Sequence, residues 1–321
     1  MKVATCERIR VLKEYTGTNP KPDDFDMYWE KALIEMQNVN SDLVITPAKF
    51  QISFAECYDM YFTGVGGARI YAKVLKPKNV KAKMPAILTF HGFLANCGDW
   101  SDKLNYVAAG YMVVAMDCRG QGGLSKDVGC NNGTGVHGQF VRGLDGNKND
   151  LLMRNVFLDT AQLAKIVMEM PDVDETNVCA WGGSQGGALT LACAALEPRI
   201  KKIGVLYPFL SDYKWIWQVG HAYSAYEELA KYFRGCDPLH EREDEAFEKL
   251  GYIDVHNLAT RIKSEVLMAI SLLDDVCPPE TQFAVYNNIK SKKQAVLYHD
   301  FGHELILPGF ADRLYLYFVE E

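Results

Sequence analysis

From Ala86 onward the sequence alternates short apolar runs with longer stretches of helical periodicity, and this alternation leaves few folds open. The runs are AILTF (86–90), MVVAM (112–116), NVCAWG (177–182), KIGVLY (202–207), EVLMAI (265–270) and AVLYH (295–299). Each has the length and continuous apolar character of a strand buried on both faces of a parallel sheet. Between them lie segments such as NVFLDTAQLAKIVMEM (155–170), with apolar residues at helical spacing. Strand and helix in alternation predict an α/β fold, a mostly parallel central sheet with helices on both faces. The first 85 residues read as an extension: an amphipathic helix over 24–37, then two antiparallel strands over 52–64 and 68–77, with turn chemistry in the GVGG at 64–67. After the strand at 202–207, residues 208–263 are helical in pattern and rich in aromatics, among them Phe209, Tyr213, Trp215, Trp217, Tyr223 and Tyr226. We expect one domain over 1–321 with this segment as a cap-like insertion. Its aromatic faces suit sugar rings, but such clusters more often form core or a subunit interface. The run HEREDEAFEK (240–249) reads as a solvated helix face.

Composition narrows the class of function. The 41 acidic against 34 basic residues give a formal charge of −7, and a nucleic-acid binder would need the opposite balance. No apolar run reaches the 18 or more residues of a membrane span. The opening MKVATCERIRVLKEY carries charges where a signal peptide needs its apolar stretch, which predicts a cytoplasmic location. Nine scattered cysteines (6, 57, 97, 118, 130, 179, 193, 236 and 277) with no CxxC pair read as reduced thiols. There is no HExxH, Walker loop or dinucleotide fingerprint, so neither metal nor cofactor is expected.

The chemistry concentrates in Gly182-Gly183-Ser184-Gln185-Gly186, a G-x-S-x-G sequence placed after an expected strand and before an expected helix. A serine there sits on a tight turn where side chains at Gly182 and Gly186 would collide with neighbouring backbone. The following helix offers free N–H groups where an oxyanion forms. A serine hydroxyl needs a base, and the α/β-hydrolase order is Ser, then Asp or Glu, then His. Of the histidines beyond the 265–270 run, His303 lies in a loop past the last strand. His299 still belongs to the strand pattern and reads as a packed or hydrogen-bonded side chain. Asp274 and Asp275 both stand just past the 265–270 strand, and spacing hardly separates them. Of the two oxyanion N–H donors, one is expected from Gln185 and the other from the loop His91-Gly92-Phe93, with His91 in a structural role. Arg119-Gly120-Gln121-Gly122 reads either as an arginine buttressing the site through its five donors or as an ordinary surface turn, and the turn alone favours the latter.

Together these motifs resemble carbohydrate esterase family seven, the acetyl xylan esterases and cephalosporin C deacetylases, over nearly the whole length. The likeness rests on DFDMYWEKAL near the start, Arg119-Gly120-Gln121, Gly182 through Gly186, His303-Glu304, and the stretch 257–287. It implies an α/β-hydrolase fold and selects Asp274, three residues before Cys277-Pro278-Pro279, as the acid. Arg119 and Gln121 become supporting residues. Where the family often has tyrosine after His-Gly, this chain has Phe93, which keeps the backbone N–H but loses the phenol hydroxyl. The family's hexamers, with active sites facing an internal cavity, imply a homo-oligomer.

The resulting expectation is a serine esterase removing acetyl groups from small acetylated carbohydrates: Ser184 as nucleophile, His303 as base, Asp274 orienting it, and the N–H groups of Phe93 and Gln185 as oxyanion hole. No nucleic-acid or membrane partner is expected. Two alternatives are an oligopeptidase, disfavoured by the missing propeller-sized N-terminal domain, and a non-catalytic hydrolase-fold binding protein, disfavoured by the intact Ser, Asp and His set.

Overall fold

The structure is a computed structural model that describes residues 2–78, 80, 82–128 and 138–320. Among these residues nine strands form one sheet: β1 (Val44–Pro47), β2 (Ala55–Thr63), β3 (Arg69–Pro77), β4 (Met84–Phe90), β5 (Met112–Met116), β6 (Val173–Gly183), β7 (Lys202–Leu206), β8 (Glu265–Ser271) and β9 (Lys293–Tyr298). Their order is β1-β2-β3-β5-β4-β6-β7-β8-β9. From β5 to β9 every pairing is parallel, whereas β1, β2 and β3 add antiparallel neighbours at one edge. This is the mostly parallel α/β sheet that the alternation of runs predicts, in the α/β-hydrolase arrangement that the family resemblance implies. The exposed four-residue β1 and the N-terminal helix Lys2–Leu12 are additions. β1 offers neither alternation nor a buried face from which to read it.

Side-chain alternation divides the core between the two sheet faces. In β8, Val266, Met268 and Ile270 join one hydrophobic cluster, while Leu267 and Ala269 join the other. The larger cluster holds the helices Phe25–Gln37, Leu152–Met168, Gln185–Leu196 and Pro279–Asn288. The smaller is closed by Leu104–Ala108 and Phe310–Val319.

Residues 208–263 supply the helices Tyr213–Gln218, Glu227–Cys236, Glu243–Ile253 and Val255–Leu258, packed into the larger cluster. Phe209, Tyr213, Tyr226, Tyr232 and Phe233 are buried there, so the aromatics form core, whereas Tyr223 and Val219 stay exposed. Within the charged run, Ala246 and Phe247 turn inward and Asp244, Glu245 and Glu248 outward. Seven cysteines are free thiols, six of them buried; Cys130 and the side chain of Cys6 lie outside the described residues. Among the described residues no helix is long and apolar enough to cross a membrane.

The extension is latched to the insertion by buried polar groups. Trp29 is fully buried, and its indole N–H donates to the Tyr252 carbonyl at 3.1 Å. Asp212, also fully buried, accepts from the backbone N–H groups of Thr18 and Asn19, both at 2.9 Å, and from the Tyr15 hydroxyl. Its φ of +53° is the left-handed region that Asp and Asn tolerate better than most residues. Removing the carboxylate strands three donors at once. We expect Asp212→Ala to lower unfolding free energy by about 3 kcal/mol and Asp212→Asn by clearly less, read from urea denaturation midpoints.

Candidate active site

β6 ends at Gly183, and the helix Gln185–Leu196 begins two residues later, leaving Ser184 as the hinge between them. Its φ of +56° and ψ of −122° place a non-glycine residue in a sparsely populated region, the strained geometry expected of an exposed nucleophile. A Cβ on Gly186 would lie 2.1 Å from the Phe90 carbonyl oxygen, and one on Gly182 would lie 2.4 Å from that of Gly186. The two glycines are therefore demanded by close backbone approach. The turn is closed by the Ser184 N–H donating to Leu206 at 3.0 Å and the Phe209 N–H donating to the Ser184 carbonyl at 3.1 Å.

The structure brings His303 to this serine: Nε2 lies 3.1 Å from Ser184 Oγ, and Nδ1 lies 2.8 Å from Asp274 Oδ2. A carboxylate on Nδ1 requires the proton there, which leaves Nε2 free to accept from the serine hydroxyl. Asp274 is buried, and its Oδ1 accepts from the N–H groups of Val276 and Cys277 at 2.9 and 2.8 Å. Gln282 donates to Oδ2 at 3.3 Å. Asp275, by contrast, is exposed and contributes its carbonyl, 2.7 Å from His221 Nε2. Burial pushes the Cys277 thiol well above its usual range, so the sulfur beside Ser184 stays protonated and is no rival nucleophile.

Beyond β4, His91 uses both ring nitrogens on backbone. Nε2 accepts from the Cys118 N–H at 2.9 Å, which leaves the Nδ1 proton for the Gly92 carbonyl at 2.7 Å. Burial lowers its pKa and favours this neutral form, so His91 shapes the loop that presents Phe93. The Phe93 ring meets Phe209 edge-on at 6.1 Å. Gln121 ties the two expected oxyanion segments together. Its Oε1 accepts from the Leu94 N–H at 3.0 Å and from Gln185 Nε2 at 2.9 Å, while its Nε2 donates to Gln185 Oε1 at 2.7 Å.

Two readings of single residues need correction. Arg119 does not lie on a surface turn: it is 1% exposed. Its Nε and Nη2 make a bidentate pair with Asp159 at 2.7 and 2.6 Å, and Nη1 donates to the Val65 carbonyl at 2.9 Å. Burial alone would favour the neutral guanidine, but the Asp159 carboxylate outweighs it and raises the arginine pKa. His299 is neither packed nor inside a strand, because β9 stops at Tyr298 and leaves it exposed.

Three residues at the site carried little signal in the sequence. Asp159 sits on the apolar face of the 152–168 helix, where a charge implies a buried partner. Gln282 and Tyr207 showed nothing that singled them out. Among the described residues no cluster of three His, Cys, Asp or Glu side chains could hold a metal.

Comparison with known proteins gives the family. Residues 6–321 match the acetyl xylan esterase (AXE1) family. Acetyl xylan esterase 1 from Thermoanaerobacterium sp. JW/SL YS485 is 58% identical and superposes with a TM-score of 0.95 over 97% of this chain and 98% of that one. The acetyl xylan esterase from Paenibacillus sp. R4 is 32% identical, with a TM-score of 0.91 over 96% and 98% of the two chains. Acetyl esterase Axe7A of Xylanibacter ruminicola is 27% identical over 296 residues, which make up 89% of this chain; the match spans 64% of the length of that relative. With a strained turn at Ser184, a hydrogen-bonded Ser, His and Asp, and a family match over residues 6–321, the chain belongs to the acetyl xylan esterase family of α/β-hydrolases.

Proposed function

We propose that this protein removes acetyl groups from acetylated sugars through an acetyl-enzyme intermediate, with Ser184, His303 and Asp274 as the catalytic set. The observation that carries this reading is the unbroken relay from Ser184 Oγ to His303 Nε2 and from Nδ1 to Asp274, at 3.1 and 2.8 Å, on a serine held at positive φ.

Ser184 Oγ attacks the acetyl carbonyl carbon while its proton passes to His303 Nε2. The carbonyl oxygen becomes an oxyanion, stabilised by the N–H groups of Phe93 and Gln185. Gln121 fixes the spacing of these two segments through its contacts to Leu94 and the Gln185 side chain. The tetrahedral species collapses as His303 gives its proton to the departing sugar hydroxyl, leaving acetyl-Ser184. Water, deprotonated by the same imidazole, attacks this ester, and acetate leaves as Ser184 regains its proton. Asp274 stabilises the imidazolium in both halves without taking its proton.

Family membership supports acetylated xylan as the substrate class; this proposal narrows it to short xylo-oligosaccharides in the cytoplasm, with cephalosporin esters as a second class that carries the same acetyl group. A homohexamer enclosing the active sites belongs to the same proposal. Its support here is that Leu94, Leu273, Leu305 and Ile306, each adjacent or close in sequence to Phe93, Asp274 or His303, stand 59–95% exposed in a single chain. Leaving such apolar groups in water around a catalytic site is costly unless another surface covers them.

Three measurements test the reading. Ser184→Ala should lose several orders of magnitude in kcat, and Asp274→Asn should lose far more than Asp275→Asn; equal losses at 274 and 275 would remove Asp274 from its role. On a panel of esters, released acetate should dominate over butyrate and longer acids, with roughly 10–200-fold discrimination per methylene, whereas a flat profile would point to an open acyl groove. Light scattering should give six times the monomer mass, with xylo-oligosaccharide acetates cleaved far faster than insoluble acetylated xylan; an active monomer would refute the cavity and leave the triad untouched.

A further inference from the structure

Tyr207, the residue after β7, stands where the nucleophile strand, the acid strand and the histidine loop meet. Its N–H donates to the Ala269 carbonyl at 3.0 Å, carrying the β7–β8 ladder one residue beyond the end of β7. Its φ is +29°, a conformation that strains a residue with a bulky side chain. That twist puts a buried ring beside the imidazole of His303, with centroids 4.4 Å apart and planes inclined by 49°. The phenol hydroxyl donates to the Glu304 carbonyl at 3.0 Å. On the other side of His303, the Phe301 carbonyl accepts from the Leu273 N–H at 2.9 Å. The loop bearing the base is thus pinned two residues before it and one residue after it, once by backbone and once by this hydroxyl.

The ring contact has a chemical consequence because His303 changes charge during the reaction. A neutral imidazole gains only packing from a neighbouring ring, whereas an imidazolium is also attracted to the electron-rich face of an aromatic within about 6 Å. An interaction that strengthens only when the proton arrives on Nε2 lowers the barrier rather than merely holding the ground state. The other titratable groups around this pair are Asp274 on the Nδ1 edge, Glu304 in the same loop and Cys277 beside Ser184. The Tyr207 phenol itself stays neutral, since burial and then the Asp274 charge push its pKa up to about 12.

We infer that Tyr207 is a positioning residue for the reaction: its ring face stabilises the His303 imidazolium, and its hydroxyl fixes the reach of the His303 loop. This inference rests on the triad reading of the site.

The test separates ring from hydroxyl. Tyr207→Leu should lower kcat by roughly 2- to 30-fold, the rate equivalent of one cation–π contact, with KM little changed. It should also move the acid limb of the kcat/KM profile to lower pH, because the imidazolium loses a stabilising partner. Tyr207→Phe keeps the face, so its acid limb should stay with the wild type while kcat falls modestly from loss of the tether. Fluorinated phenylalanines at 207 preserve shape while withdrawing charge from the ring face, so the limb should move progressively with fluorine number even if the leucine variant folds poorly. An acid limb indifferent to fluorination, or one that moves as far in Tyr207→Phe as in Tyr207→Leu, would overturn the inference and leave Tyr207 as packing. NMR titration of the His303 ring protons reads the same shift without turnover. A Ser184→Ala enzyme that still releases acetate would therefore defeat the triad reading while the titration still judged Tyr207.

Discussion

The close passage of the Phe90 carbonyl against Gly186, with no room for even a methyl group, is the constraint on which the rest of the site hangs. It lets the helix Gln185–Leu196 start hard against the end of β4, so the turn between β6 and that helix has one way to close. Ser184 takes the left-over conformation, with φ at +56°, and its side chain is driven out at the carboxyl end of the parallel strands. Such strain persists only where the surroundings over-determine it. Here they do: Leu206 and Phe209 bond both backbone groups of Ser184, and the helix behind it is buried along its whole length.

Around that fixed point the protein spends buried polar groups on orientation. The Arg119–Asp159 pair is sealed from water, and such pairs add little net stability while being costly to break singly. Its effect is geometric: it anchors the turn after β5, from which Gln121 reaches both Leu94 and Gln185. Asp274 is held in the same way: two backbone N–H groups occupy Oδ1, and Gln282 shares Oδ2 with His303. Ser184 and Asp274 are therefore each located by groups one step removed from them.

The N-terminal extension and the insertion serve this arrangement from a distance. The short chain from Ser184's neighbour Phe209 to Asp212 carries positive φ values at Leu210 and Asp212, and it is clamped by Tyr15, Thr18 and Asn19 from the extension. Phe209 also meets Phe93, so the aromatic core of the insertion reaches the loop after β4. The aromatic richness of 208–263 is largely consumed in this packing, as core rather than as a face for sugar rings.

The sequence by itself determined what depends on neighbours along the chain. Continuous apolar runs specify buried parallel strands, Gly182 and Gly186 specify the turn that exposes Ser184, and chain order placed an acid and a histidine after successive strands. What it left open were matters of long-range contact. Ser184 and His303 are 119 residues apart, and Arg119 and Asp159 are 40 apart. Nothing local to Arg119-Gly120-Gln121 distinguishes a buried anchor from a surface turn, and adjacent Asp274 and Asp275 differ only in which carboxylate the loop turns toward the imidazole. Tyr207 was invisible for the same reason, since it looks like the last residue of a strand until the His303 loop folds over it. Tertiary structure decided these because a charge, an amide or a ring acquires its role from the group it meets. Those meetings are fixed by strand order and register, which short-range pattern does not encode.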